Sequence, residues 1–293
     1  MTRSQHYWGV KPLMALGLAC AVTLLGGCAG GAKVEVPVQR FEAAMQAGSD
    51  KYASGDLQLA ATAFEQAERI AALYDRRALR VQALLASGAV FATREQEAEA
   101  LLAYQRALAE AQSLADSHTV GVAWAGIADV QRRSGELTGA LQSFEKALQP
   151  QALREGSTER MQARMGQALV WHAQGRSAAA REAFQGLEEQ IRTAHPSLLS
   201  GVLANQAVVL RDAGEVAAAV AKAEEALALD RRAASPTALA ADLELLGRLY
   251  LAAQRPADAK ASWERAQRIV QTTGQAKAGK RLAALLQELS SRQ

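Results

Sequence analysis

The chain has 293 residues, of which 49% are hydrophobic but only 5% aromatic, with six prolines and a formal charge of +3. Alanine supplies much of the apolar content, and a composition rich in Ala, Leu, Glu, Gln and Arg with few β-branched residues favours an all-helical architecture. Charges of both signs are interspersed, so the clustered basic face that nucleic-acid binding requires is missing from the sequence.

The first element is an export signal. Arg3 and Lys11 flank a basic start, and Leu13 to Leu25 is an uncharged apolar run too short for a permanent membrane helix. It ends in Leu25-Gly26-Gly27-Cys28, which resembles the lipobox of bacterial lipoproteins: a leucine and two small residues before the cysteine that becomes the new N-terminus. The resemblance implies cleavage after residue 27, a diacylated sulfur and an acylated amine on Cys28, and a firm three-chain anchor, since each buried CH2 contributes about 0.8 kcal/mol. Ala29 follows, where an aspartate would resemble the inner-membrane retention signal, so the resemblance points to the periplasmic face of the outer membrane. Cys20 leaves with the signal, so the mature chain has neither a disulfide nor spare thiol chemistry. Losing Arg3 and Lys11 lowers the charge to about +1. Residues 28–36 read as a lipidated tether, closed by Pro37.

From there to the end a repeat governs the sequence. A small residue, an aromatic four later and a small residue three after that recur as Ala60/Phe64/Ala67, Ala100/Tyr104/Ala107, Ala140/Phe144/Ala147 and Ala259/Trp263/Ala266. Two degenerate copies, Ala180/Phe184/Leu187 and Ala219/Ala223/Ala226, complete a series whose lead alanines step by 40, 40, 40, 39 and 40 residues. Five before each lead alanine stands Gly55, Gly135, Gly175 or Gly214, with Glu95 and Gln254 in the other copies, a position suited to an interhelical turn. Twelve before it the residue is always small: Gly48, Gly88, Ala128, Ala168, Ala207 and Gly247. Each unit is therefore expected to be a helical hairpin. Pro150, Gly156-Ser157, His195-Pro196-Ser197 and Ser235-Pro236-Thr237 mark connections between hairpins. Leu282, Leu285, Leu286 and Leu289 give Gln275–Ser290 the apolar stripe of a capping helix.

This pattern resembles the tetratricopeptide repeat (TPR), best in the last copy, with Leu246-Gly247, Tyr250, Ala259, Trp263 and Ala266, while Trp124 stands where the family has its tryptophan. The resemblance covers roughly Pro37 to Thr273. It implies an all-α superhelical solenoid of about six hairpins over residues 37–293, with the cap at 275–290. The family's period is about 34 residues, and the longer period here predicts helices extended by about a turn.

No catalytic constellation emerges. Ser143-Phe144-Glu145-Lys146 spells Ser-x-x-Lys, but Phe144 is a repeat core position and neither Ser-Asp-Asn nor Lys-Thr-Gly occurs. His118, His172 and His195 have no partner at metal-ligand spacing, and phosphate-loop motifs are missing. No cofactor, metal or small-molecule substrate is expected. By resemblance, the first helices of successive hairpins line a concave groove, here bearing Met45, Tyr52, Gln82, Leu85, Asp129, Arg132, Met165, Leu169, His172, Asn205, Val208, Arg211, Glu244 and Arg248. Apolar in the middle and charged at intervals, it suits a protein segment or helix held through a few anchors. Packing between hairpins is an equal reading for Met165 and Leu169. The function expected is a non-enzymatic adaptor in an envelope complex. The alternative is an envelope enzyme with a loop-built site, or an accessory subunit of one.

Overall fold

The protein, as a computed structural model, is described over residues 36–291; the expected export signal, Cys28 and most of the expected tether lie outside the described residues. Thirteen α-helices follow one another there. They pair as α1 (Val36–Ala53) with α2 (Leu57–Leu73), α3 (Arg77–Thr93) with α4 (Glu97–Ser113), and α5 (Ser117–Arg133) with α6 (Leu137–Ala147). The series continues with α7 (Thr158–Ala173) and α8 (Ser177–Ala194), α9 (Leu199–Asp212) and α10 (Val216–Arg232), α11 (Pro236–Ala252) and α12 (Pro256–Thr272), ending in the lone α13 (Ala276–Ser291). The fold is a TPR-like solenoid of six hairpins and a cap, as the forty-residue period predicts. Most helices run 17 residues, about 25 Å.

The triplets that set the repeat register are core. The six lead alanines, Ala60, Ala100, Ala140, Ala180, Ala219 and Ala259, all have 0% exposure, and the aromatics four residues on are buried with them. The small residue twelve before each lead alanine explains why. A Cβ added at Gly48 would lie 2.7 Å from Cδ1 of Phe64, at Gly88 2.7 Å from Cε1 of Tyr104, and at Gly247 2.6 Å from Cε2 of Trp263. The ring of the second helix thus rests directly on the backbone of the first, and the indole Nε1 of Trp263 donates to the Glu244 carbonyl at 3.1 Å. In the third and fourth hairpins the equivalent pairs are Ala128/Phe144 and Ala168/Phe184, whereas Phe64 of the first hairpin still rests on Gly48.

The turn between paired helices is the same in all six copies. Gly55, Gly135, Gly175 and Gly214 adopt φ of 82–84°, and Glu95 and Gln254 at the same position are held at 56° and 59°. A left-handed residue there lets the next amide reach back and satisfy a helix-end carbonyl, as Asp56 N–H does with Lys51 O at 2.8 Å and Gln96 N–H with Phe91 O at 2.9 Å. One hairpin departs. Helix α6 stops after 11 residues because Pro150 cannot continue it, and the connection 148–157 tucks Leu153 into the core. Arg160 Nη1 donates to the carbonyls of Leu148 and Leu153, both at 3.0 Å, which compensates the irregular backbone.

The superhelix closes on itself. Arg281 of α13 donates to Glu95 Oε1 at 2.9 Å, in the turn between α3 and α4, and Lys277 lies 2.8 Å from Glu97 Oε2. The Gly55 turn is buried against Thr273 and Pro236. Contacts across some 180 residues of sequence therefore join one edge of the first two hairpins to the opposite edge of the last.

Candidate binding surface on the inner face

The first helix of each hairpin supplies the inner face, and its side chains make three groups of polar contacts, over α1, α3 and α5, over α7 and α9, and from α11 through the cap back to the α3–α4 turn. Tyr52 Oη and Thr93 Oγ1 are 2.9 Å apart, joining α1 to α3. Arg133 Nη1 donates to the Ala92 carbonyl at 3.1 Å, and its Nε donates to Asp129 at 2.9 Å. Arg132 Nη2 donates to the other oxygen of the same carboxylate at 2.7 Å. Farther along, His172 Nε2 lies 2.9 Å from Asp212, which also accepts from Arg211 Nε at 2.7 Å. Glu244 accepts from Arg281 at 2.7 Å and pairs with Arg248 at 2.8 Å, and Arg281 carries the chain back to Glu95.

These contacts fix protonation states. Burial alone would raise the carboxyl of Asp129, but Arg133 and Arg132 outweigh it and hold the pKa below the ordinary aspartate value. Glu244 is likewise pulled down against burial by Arg281 and Arg248. Asp212, less enclosed, is lowered to about 2: burial opposes ionisation, and hydrogen bonds from His172 and Arg211 prevail. Burial raises the Tyr52 phenol, so it stays a neutral hydrogen-bonding group.

The expected groove residues fall into two groups. Met45, Leu85, Met165, Leu169, Asn205 and Val208 are buried between neighbouring first helices. So are Asp129, Arg132 and Glu244, with Arg132 only 1% exposed. In this conformation they form the wall's interior. Gln82 is exposed, and Tyr52, His172, Arg211 and Arg248 are half-buried. Among these, His172 and Arg211 adjoin Asp212, and the three side chains are 12%, 23% and 41% exposed. Asp212 was not among the expected site residues; it stands one position after Arg211 in the register and gave no repeat signal of its own. Arg281 and Glu95 were missed for another reason: they meet only because the superhelix closes.

Ser143 of the Ser-x-x-Lys match donates to Gln131 at 2.7 Å, and Lys146 sits 4.0 Å above the Trp124 ring, so both serve packing. Among the described residues no cluster of three or more His, Cys, Asp or Glu is placed to hold a metal ion, and no helix is long and apolar enough to cross a membrane.

No protein-family model and no curated protein matches the chain. Solved structures do. A Rap protein, crystallised in complex with Competence and Sporulation Factor, is similar with a TM-score of 0.63 at 13% identity, covering 88% of this chain and 76% of that one. BtubC (BKLC) from P. vanneervenii is similar with a TM-score of 0.50 at 19% identity, covering 82% and 93%. At these identities the likeness is one of fold, and the fold is that of a TPR-like repeat scaffold.

Proposed function

We propose that this chain is a non-enzymatic adaptor, held through lipid on Cys28 to the periplasmic face of the outer membrane. There it helps assemble or position an envelope complex, such as a pilus or secretion pore, the outer-membrane assembly apparatus or the cell-wall synthesis machinery. The observation that carries the protein-binding part is the solvent-facing sector of the inner face, where His172, Arg211 and Asp212 converge from consecutive hairpins. The carboxylates of Asp129 and Glu244 on that face are by contrast enclosed with their arginine partners. That the Rap protein of similar fold was solved with a bound factor shows that such a stack can hold a partner. Lipid anchoring is supported by the Leu25-Gly26-Gly27-Cys28 sequence.

The test has two arms. Mass spectrometry of the N-terminal peptide of the membrane-bound protein should show Cys28 carrying acyl chains; an unmodified or absent Cys28 peptide removes the anchor. Affinity capture from detergent-solubilised envelopes should recover partners with the wild-type chain and lose them with Arg211→Glu. Recovery of the same partners by both removes the inner-face reading. Arg132→Glu is unsuitable as a probe, because it would place two carboxylates together in the buried Asp129 site.

A further inference from the structure

The large apolar side chains that stand exposed among the described residues are unevenly placed. Val36, Leu59, Leu73, Tyr74, Leu102 and Leu114 all belong to the first two hairpins. Four of them share one edge. The helices alternate in direction, so the start of α1 (Val36), the end of α2 (Leu73, Tyr74) and the end of α4 (Leu114) lie on the edge where hairpin follows hairpin. Leu59 and Leu102 sit toward the other end of α2 and α4, with Leu59 about 20 Å from Leu73 along its helix.

At one point on this edge, the start of α3, arginines are placed in a way that costs the fold. Helix α3 begins Arg76-Arg77, with Arg80 one turn on, and Arg76 occupies the N-cap without a side-chain capping bond. The equivalent position of α5 is Asp116, which caps Thr119 N–H at 3.1 Å, and that of α7 is Ser157. Arginines at a helix N-terminus oppose the positive end of the helix dipole. Arg80 is neutralised by Glu68 and Glu110, whereas Arg77 is exposed at the rim. Asp75 is outnumbered inside this turn, while Asp116, near Leu114 at the following turn, is engaged as the N-cap of α5, so the positive charge is confined to the α2–α3 turn.

The chain also enters at this edge. Seven residues lie between Cys28 and Val36, a span of at most about 28 Å. Building on the lipid anchor proposed above, we propose that this edge of the first two hairpins lies on an anionic lipid surface, with Val36, Leu73, Tyr74 and Leu114 at the acyl boundary and Arg77 among the headgroup phosphates. Apolar and tyrosine side chains beside arginine are the chemistry of the membrane interface. The contact gives the solenoid a fixed orientation, with the superhelix axis set by the plane of the edge rather than by the tether.

The experiment supplies the anchor chemically, so that it does not depend on how the cell treats Cys28. The chain from Cys28 to Gln293, whose sole cysteine is Cys28, is coupled to a maleimide-bearing lipid in vesicles of phosphatidylethanolamine and phosphatidylglycerol with brominated acyl chains. Tyr74→Trp and Leu102→Trp each add one indole to the native Trp124, Trp171 and Trp263, and unchanged helicity confirms the fold. The indole added at 74 should lose about half its emission to the bromines and the one at 102 almost none; adding Arg77→Glu should restore much of the former. Equal quenching at both positions, or none at 74, overturns the proposal, the latter leaving the patch as a protein contact. Failure here leaves Cys28 acylation, read by mass spectrometry, standing, and failure of acylation leaves this result standing.

Discussion

The seat of Trp263 offers the sharpest test of how this chain folds. Replacing Gly247 by alanine removes a glycine from mid-helix, which by propensity alone should stabilise by up to about 1 kcal/mol. The added methyl, however, would sit 2.6 Å from the indole Cε2, closer than real Cβ contacts come. Trp263 is 1% exposed and cannot move outward without losing its bond to the Glu244 carbonyl. Overpacking costs about 1–3 kcal/mol and the lost hydrogen bond about 1 kcal/mol, so Gly247→Ala should destabilise by about 1–3 kcal/mol net. Trp263→Ala removes both the ring and the bond, reproducing the Ala207/Ala223 pair of the fifth hairpin. In that background Gly247→Ala should be neutral or stabilising by up to about 1 kcal/mol. Urea unfolding followed by circular dichroism, with hydrogen exchange on α11 and α12 to catch local opening, gives the four corners of the cycle. A coupling of about 2 kcal/mol is expected. Equal cost of Gly247→Ala in both backgrounds would refute the reasoning that the glycine exists to seat the indole.

Further outcomes follow from the same geometry. Gln254, exposed and held at φ 59°, should gain about 1 kcal/mol on Gln254→Gly, read as a rise in Tm, because the left-handed conformation no longer strains a side chain. Arg281→Glu should open the superhelix, seen as a larger radius of gyration in X-ray scattering, since it sets a third carboxylate between Glu244 and Glu95; an unchanged radius would show that closure rests on the Gly55–Thr273 packing. Stability should fall in acid. Glu188 is held at about 2: burial would raise it, but hydrogen bonds from Lys222, Arg192 and Gln206 lower it well below its ordinary 4.5. A depressed folded pKa gives stabilisation that is complete above about 4.5 and is lost as pH falls toward 2, on the order of 1–2 kcal/mol after solvent screening. Glu188→Gln should flatten that part of the stability profile measured by urea titration.

The fold was legible because the repeat writes each packing contact into sequence at a fixed offset. Ala60, Phe64 and Gly48 are separated by intervals that recur six times, so periodicity stood in for the missing third dimension. The turn was legible even where its residue was unusual: Glu95 and Gln254 hold the glycine position, and the structure forces the left-handed backbone on them. The inner face was read less well. Helical register says which way Asp129 or Leu169 points, but not how closely the next first helix approaches, and it is that approach that buries them. Arg281–Glu95 was beyond such reading altogether, since no interval within a repeat encodes a contact between the second hairpin and the cap. The distribution of exposed apolar residues was equally hidden, because burial separates Leu73 from Leu57 where composition does not.

Closure of the superhelix also narrows where a partner can gain energy. Asp129 with Arg132 and Arg133, and Glu244 with Arg248 and Arg281, are enclosed pairs, and removing one member of such a pair costs about 3–5 kcal/mol because the other charge is left buried. A partner that competed for those groups would have to repay that cost before binding began. The His172–Asp212–Arg211 group is different: Asp212 is 41% exposed, still in contact with water, and its ion pairs are screened. A cationic or hydrogen-bonding side chain can join this carboxylate without dismantling a buried site. On the proposed reading the partner therefore engages the inner face at the fourth and fifth hairpins, and Arg211→Glu disturbs that part while leaving the enclosed pairs intact.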